Sequence, residues 1–211
     1  MLLGHYGSGK SEIAVNLAIQ KQRNYLVDLD IVNPYFRSRS ARALLERHGV
    51  HVVESTIENA SGSDLPYISA QGRRPFIDST LNAVYDLGGS HAGAKLLMQY
   101  VDLVKTFDEI DVLLVVNIFR PETANADQII QLIDTLEAVG QFPITGLINN
   151  TNMLNETDEA MIFQGERVLQ TVSKQKNIPI RYTIVEETIK TTRDFCGEQL
   201  SLTRYLAKQW L

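Results

Sequence analysis

The chain has 211 residues, of which 44% are hydrophobic, which is enough for one domain over residues 1–211 with a substantial core. Its net charge of -5 argues against general binding to nucleic acid or anionic lipid, and its single cysteine excludes a disulfide framework or a metal centre of several thiolates. No apolar run is long enough to cross a bilayer and no charged leader precedes the first apolar residues, so we expect a cytoplasmic protein without a membrane span.

Apolar segments alternate with segments of helical spacing along the chain. Strands are predicted at residues 1–3, 25–28, 50–54, 83–86, 112–116, 144–148 and 180–185, and helices at residues 11–22, 38–48, 92–107, 124–139 and 158–176. Several of these strands are apolar at consecutive positions, which is typical of a sheet covered on both faces. The pattern predicts an α/β fold with a mainly parallel sheet and helices on both faces.

Two further segments carry weaker patterns. Residues 58–74 are rich in Gly, Ser and charge, and we expect an excursion from the domain there. Near the C-terminus, apolar residues with few basic neighbours are expected to pack against the sheet and not to form a lipid-binding helix: Leu200, Leu202, Tyr205, Leu206 and Trp210.

A phosphate-binding motif lies between the first strand and the first helix. Residues 4–11, GHYGSGKS, fit the pattern G-x-x-x-x-G-K-[ST] at every fixed position. Glycines allow backbone N–H groups to surround anionic oxygens, Lys10 reaches the β- and γ-phosphates, and the Ser11 hydroxyl suits Mg²⁺. A glycine-rich turn that only caps a helix is the alternative, but the strand, loop and helix context favours a three-layer P-loop NTPase fold. The predicted phosphate-binding residues are Gly7, Ser8, Gly9, Lys10, Ser11 and Glu12.

Carboxylates follow two of the predicted strands, where nucleotide chemistry gathers in such sheets. In VDLDIVNP, either Asp28 or Asp30 can hold Mg²⁺ through water, and Asp30 is the candidate for orienting the attacking water. In AVYDLGG, Asp86 is the candidate metal ligand, and the N–H of Gly88 or of the next glycine is placed to meet the γ-phosphate. Asp78 competes with Asp86 but is followed by no glycine.

Amides end the strand predicted at residues 144–148, where a purine base is expected. Asn149 or Asn150 can bond the amino group and ring nitrogen of adenine, although an ordinary polar strand end is an equal alternative. In the guanine-specific pattern N-K-x-D an aspartate accepts two bonds from the base, and Asn152 stands at that position. This favours ATP over GTP.

Together, the segments GHYGSGKS, VDLDIVNPYFRSR, YDLGGSHAGA and VVNIFRPET resemble a family of small bacterial ATP-binding proteins. That family is related to the MinD/ParA and CobQ/CobB nucleotide-binding domains, in the signal-recognition/MinD/BioD class (SIMIBI) of P-loop proteins. The resemblance implies ATP binding and hydrolysis. His5 and Tyr6 replace the lysine and glycine of the MinD/ParA loop, in which the lysine reaches across a dimer, so the resemblance does not imply a homodimer with that geometry and leaves open one with other contacts.

These observations predict a Mg²⁺-dependent ATP hydrolase that acts as a nucleotide switch or energy-coupling subunit with a protein partner. The alternatives are a small-molecule kinase or ligase of the CobB/dethiobiotin-synthetase type, a GTPase metallochaperone, and a nucleotide-binding module without turnover. Arginines near the expected site, Arg37 first and Arg120 among the others, are candidates for neutralising phosphate or for binding a partner, although solvated surface arginine is commoner.

Overall fold

The structure is a computed structural model that describes residues 1–29, 41–54, 70–88 and 110–206, and the single positions 94, 98 and 101. Its described strands form one sheet in the order β3-β2-β4-β1-β5-β6-β7-β8, and every pairing is parallel. The strands are β1 (Leu2–Leu3), β2 (Tyr25–Leu29), β3 (His51–Glu54), β4 (Ala83–Leu87), β5 (Leu113–Val116), β6 (Gly146–Asn149), β7 (Ile180–Glu186) and β8 (Glu198–Leu202).

Five α-helices are described, and three of them begin at a glycine turn or a side-chain cap. They are α1 (Lys10–Gln20), α2 (Arg42–Arg47), α3 (Ala70–Arg73), α4 (Ala126–Gly140) and α5 (Glu159–Lys176), with short 3₁₀ turns at Arg74–Phe76, Pro121–Thr123 and Leu154–Glu156. Asn125 caps α4 and Asp158 caps α5, each through a side-chain oxygen that accepts a first-turn N–H. No helix among the described residues combines the length and the hydropathy needed to span a membrane.

Neighbouring residues of single strands enter two different cores. Leu2 and Leu26 pack with α1 and α2 residues on one face, whereas Leu3 and Val27 pack with α4 and α5 residues on the other. A strand points successive side chains to opposite faces, so the consecutive apolar residues of β1 and β2 are both buried. This confirms the predicted three-layer α/β fold.

The predicted strands are confirmed to within about two residues at each end, but the edge strand β8 is an addition. Leu200 and Leu202 belong to this strand, Tyr205 and Leu206 follow it and pack in the core on the α1 face, and Trp210 lies outside the described residues. The excursion predicted at residues 58–74 falls mostly outside the described residues, and only its end appears, as α3 and the start of a 3₁₀ turn. Helix α2 lies within the range predicted at residues 38–48, and positions 94, 98 and 101 of the range 92–107 are helical.

The connection from β7 to the parallel strand β8 contains no helix. Residues 187–197 instead run along α5, where the Phe195 and Phe163 rings stack at 4.7 Å and the Arg193 guanidinium lies 3.9 Å from the Phe163 ring centre. Glu159 accepts hydrogen bonds from the backbone and the side chain of Thr192, which lower the pKa of that carboxyl. An irregular crossover thus takes the place that a helix normally has in a parallel sheet.

Candidate functional site

The loop between β1 and α1 is held in a tight curve by glycines with left-handed backbone. Gly7 has φ +74° and Gly9 has φ +87°, a region that side-chain-bearing residues rarely adopt. The Ser8 N–H donates to the His5 carbonyl at 3.1 Å, and the Lys10 ammonium reaches back across the loop to the same carbonyl at 3.2 Å. Lys10 is buried, so its charge is directed over the loop and not into bulk solvent.

Helix α1 differs from α4 and α5 in having no side-chain cap. Its N-cap is Gly9, which offers no acceptor, whereas Asn125 and Asp158 each satisfy an N–H of their own helix. The positive end of the α1 dipole therefore meets the cavity without a capping side chain at its N-cap, an arrangement that suits an external anion.

This helix end opens into a cavity of about 410 Å³ at the carboxyl edge of the sheet. The phosphate-loop end of the cavity is polar, and the far end is mostly apolar apart from the Glu186–Arg204 ion pair. The polar end includes Gly7, Gly9, Lys10, Ser11, Glu12 and Arg120, and the apolar end includes Leu154, Ile184, Ile189, Leu202 and Leu206. A polar end of this kind suits phosphates, and an apolar slot suits the flat face of a base.

The two amides predicted to meet the base have different positions. Asn150 lines the cavity and donates from Nδ2 to the Ser8 carbonyl at 2.7 Å, a buried bond that joins positions 142 residues apart. Asn149 is fully buried and does not line the cavity; its Nδ2 donates to the Ile162 carbonyl at 3.0 Å and to Glu166 at 3.2 Å. Asn149 therefore holds β6 against α5, and Asn150 holds it against the phosphate loop.

Asn152, at the position of the guanine-reading aspartate, is engaged at both ends of its amide. Its Nδ2 donates to the Asn150 carbonyl at 2.8 Å, and its Oδ1 accepts from the Leu154 N–H at 3.4 Å. The side chain of buried Asn117 donates to the Asn152 carbonyl at 3.0 Å, which ties the loop after β5 to the loop after β6. Asn152 lines the cavity as an amide that stabilises a turn.

The acidic residues at the strand ends lie side by side. Asp28 of β2 and Asp86 of β4 are register partners, and both are buried. Leu26 and Val84, two residues earlier in each strand, pack with α1, so alternation directs both carboxylates to the α1 face. Asp86 also pairs with β1, the strand that leads into the phosphate loop.

The remaining predicted acidic and switch positions are placed as follows. Asp30 lies outside the described residues, and Gly88 is a buried position just after β4. Asp78 precedes β4 at the amino edge of the sheet, and hydrogen bonds from the Thr80 hydroxyl and backbone hold the pKa of that carboxyl below its usual range. Asp78 therefore lies at the opposite edge of the sheet from the phosphate loop.

Oxygen donors suitable for Mg²⁺ are present, although within the described residues no group of three or more His, Cys, Asp or Glu forms a metal-binding cluster. The Ser11 hydroxyl opens α1, and the Asp86 carboxylate lies on the α1 face of the neighbouring strand. Mg²⁺ is usually held by one or two protein oxygens, substrate phosphates and water, so this donor set fits it.

The C-terminal segment forms a wall of the cavity that sequence patterns did not predict. The Glu12 carboxylate accepts the backbone N–H of Tyr205 at 2.6 Å and of Leu206 at 3.1 Å. One helical turn later, Asn16 exchanges two 2.9 Å hydrogen bonds with the backbone of Thr203. Glu12, predicted to bind nucleotide, thus lines the cavity while holding this wall.

An ion pair also borders the base end of the cavity. Arg204 donates to Glu186 at 2.5 Å and to Asn155 at 2.6 Å, which links the ends of β7 and β8 to the turn after β6. Both charged residues line the cavity. Neither residue belongs to a motif, so their sequence context does not mark them as site residues.

No protein-family model and no curated protein matches the chain. Solved structures of the signal recognition particle receptor FtsY from Elizabethkingia anophelis do match it. The structure in complex with GDP has a TM-score of 0.53 and 21% identity over 88% of this chain and 56% of the receptor chain. A second FtsY structure has a TM-score of 0.53 and 19% identity over 98% of this chain and 62% of the receptor chain. The chain spans less than two thirds of these receptors and shares with them the three-layer α/β fold of P-loop proteins.

Proposed function

We propose that this protein binds ATP with Mg²⁺ and hydrolyses it, acting as a nucleotide switch or energy-coupling subunit. The observation that carries the proposal is the end of α1, which has no side-chain cap and opens with Lys10 into a cavity that is polar at the phosphate loop and mostly apolar beyond it. Backbone N–H groups, a helix dipole and an ammonium group in one place complement several adjacent negative charges.

The phosphate and metal roles follow from this arrangement. Gly7, Ser8 and Gly9 surround the phosphates and Lys10 neutralises them, while Ser11 and Asp86 hold the Mg²⁺ shell. Bound Mg²⁺ supplies charge neutralisation on the phosphate oxygens. The sequence assigns orientation of the attacking water to Asp30, and the γ-phosphate contact to Gly88.

The base is assigned to the apolar end of the cavity, with adenine preferred. Asn152 offers no carboxylate to the two donors of guanine, and both ends of its amide bond the local turn. Two observations favour GTP as the second candidate: the FtsY relative was solved with GDP, and the Glu186 carboxylate lines the same end of the cavity. The Glu186 carboxylate on β7 offers guanine a hydrogen-bond acceptor, in place of the aspartate that Asn152 replaces after β6.

The coupled process involves a protein partner or an acceptor substrate. The resemblance to MinD/ParA domains favours a partner-dependent switch in the cytoplasm, with a homodimer using contacts other than the missing lysine. If the protein acts on an acceptor substrate, the alternative function is a CobB-type kinase or ligase. If the nucleotide is GTP, the alternative function is a metallochaperone. Stimulation of ADP release by a metabolite would favour the first alternative.

Calorimetric titration with ATP and GTP, with and without Mg²⁺, tests the proposal, together with phosphate release by the parent, Lys10→Ala and Asp30→Asn. We expect Mg²⁺-dependent purine nucleotide binding that Lys10→Ala abolishes, and slow turnover that Asp30→Asn abolishes without loss of binding. Lys174→Ala, an exposed lysine of α5 that does not line the cavity, is the matched control and should leave both unchanged.

Base selectivity is tested with Glu186→Gln. If adenine is bound, this variant keeps the preference of the parent for ATP; if guanine is bound through Glu186, it loses GTP affinity selectively. A parent protein that binds neither nucleotide with Mg²⁺ would refute the proposed function, and binding without phosphate release, with partners supplied, would refute the hydrolase part.

A further inference from the structure

Arg120 lies over the phosphate loop, although it comes from a different part of the chain. It follows β5, which is the neighbour of β1 in the sheet, so the loops at the carboxyl ends of these strands are adjacent. The Arg120 Nε donates to the Gly7 carbonyl at 3.0 Å. Arg120 also lines the cavity that Lys10 lines.

Glycine at position 7 makes room for this guanidinium. A side chain there would place its Cβ 3.3 Å from Nε, 3.4 Å from Cζ and 3.6 Å from Nη2 of Arg120. The guanidinium therefore lies close enough to the loop backbone that a side chain at position 7 would press against it. The glycine thus serves a second purpose beside the positive φ of the loop.

The backbone that carries Arg120 is fixed by a buried amide. Asn117 accepts the Phe119 N–H at its Oδ1 at 3.0 Å, and the Asn117 carbonyl accepts the Arg120 N–H at 3.1 Å and the Thr123 hydroxyl at 2.7 Å. Pro121 then restricts the next turn. The backbone that carries exposed Arg120 is therefore ordered before a ligand binds, which lowers the cost of placing its guanidinium.

The charge of Arg120 has no carboxylate partner among the described residues. The carboxylate of its neighbour Glu122 lies 3.4 Å from His5 Nδ1, and at the other end of the cavity Glu186 pairs with Arg204. The Glu12 carboxylate accepts backbone N–H groups. An arginine whose Nε is anchored still has four N–H donors on Nη1 and Nη2, and their planar fork suits phosphate oxygens.

We propose that Arg120 is a phosphate-binding residue, whose Nη groups donate to the phosphate chain while its Nε holds the loop at Gly7. This inference rests on the proposed function and adds a cation supplied by the same chain, from outside the phosphate-binding motif. Arg120 then raises affinity for the triphosphate and leaves affinity for the nucleoside, which has no phosphate, unchanged.

The test compares Arg120→Gln and Arg120→Lys with the parent, measuring by competition the affinity for the Mg²⁺-bound triphosphate and for the corresponding nucleoside. Charge-assisted hydrogen bonds are strong enough that Arg120→Gln should weaken triphosphate binding about 10- to 100-fold. Arg120→Lys keeps the positive charge but not the planar fork of N–H donors, so its triphosphate affinity should lie between those of the parent and Arg120→Gln. Arg181→Gln, an exposed arginine next to Asp111 that does not line the cavity, is the matched control.

Unchanged triphosphate affinity in Arg120→Gln overturns the inference, and so does an equal loss for triphosphate and nucleoside, because Arg120 would then act only through loop structure. Phenylglyoxal labelling of the parent provides a second test that requires no variant. Mg²⁺-bound triphosphate should protect Arg120 and leave Arg181 reactive, and equal labelling with and without nucleotide also overturns the inference. Whatever the result for Arg120, loss of nucleotide binding in Lys10→Ala supports the proposed function. Failure of the Arg120 inference can therefore be distinguished from failure of the proposed function.

Discussion

Asn16→Ala tests whether the C-terminal wall of the cavity is held by α1. Asn16 is 0% exposed, and its amide both donates to and accepts from the Thr203 backbone at 2.9 Å. Each of these tertiary hydrogen bonds contributes roughly 0.5–1.5 kcal/mol, and removing the buried side chain leaves Thr203 groups unpaired at an added cost. We expect the free energy of unfolding to fall by about 2–3 kcal/mol.

Denaturant unfolding measures this loss, and for a chain of this size it corresponds to a melting temperature lower by roughly 4–12 °C. Gln20→Ala is the comparison on the same helix face, because exposed Gln20 donates to the neighbouring Ser201 carbonyl at 2.6 Å and, at a longer 3.3 Å, to the Asn16 amide oxygen. It should cost about 1 kcal/mol or less. An Asn16→Ala protein within about 0.5 kcal/mol of the parent, or less destabilised than Gln20→Ala, would refute the reasoning.

The same variant also reports on the site. Residues 203–206 lie beside the apolar end of the cavity, so loosening them should weaken nucleotide binding through the base and not through the phosphates. Titration of Asn16→Ala should show that affinity for the triphosphate and affinity for the nucleoside fall by the same factor. A loss restricted to the triphosphate would contradict this assignment of the base.

Two further substitutions test the phosphate loop and the packing of α4 on α5. Gly9→Ala should unfold the loop and abolish nucleotide binding. A Cβ at position 9 would overlap the Asn150 amide, and the positive φ adds a cost of roughly 1–2 kcal/mol. Gly49→Ala is the control for the backbone cost alone, because Gly49 has φ +75° and nothing lies within 4 Å of its added Cβ. If the two variants lose equal stability by denaturant unfolding, the overlap is absorbed without cost. The hydrogen bond from Lys176 to Asp134 raises the pKa of the ammonium, so its stabilisation is present below the unfolded-state pKa near 10.5 and is lost as pH rises through the folded-state pKa. Lys176→Met should therefore be less stable than the parent at neutral pH and approach it in strong alkali, and a difference independent of pH would contradict this.

Sequence patterns were sufficient for most of the layers of the fold but not for its edge. The strands β2, β4, β5 and β6 are mainly apolar and buried, which is the pattern that burial on both faces of a sheet requires. The edge strand β8, EQLSL, has polar residues at three positions, and only its pairing with β7 identifies it. Its helix-free crossover departs from the usual parallel connection, because aromatic stacking of Phe195 on Phe163 covers α5 there.

In the site, too, sequence patterns predicted some features and left others to the tertiary structure. Asn149 and Asn150 are adjacent in a polar strand end, and their sequence context is equivalent. Alternation along the strand sends Asn149 into the α5 interface and Asn150 toward the Ser8 carbonyl. Their separate roles depend on which elements lie on each face, which periodicity alone does not specify.

The phosphate loop was determined by the sequence itself, because a glycine turn followed by a helix creates an anion site from contiguous backbone. The remaining walls of the cavity required the tertiary structure. The bonds of Asn150 to Ser8, Glu12 to Leu206, and Arg120 to Gly7 join residues more than a hundred positions apart. Such pairs are brought together by strand order and by the parallel alignment of strand ends, whereas local sequence encodes only the elements that carry them.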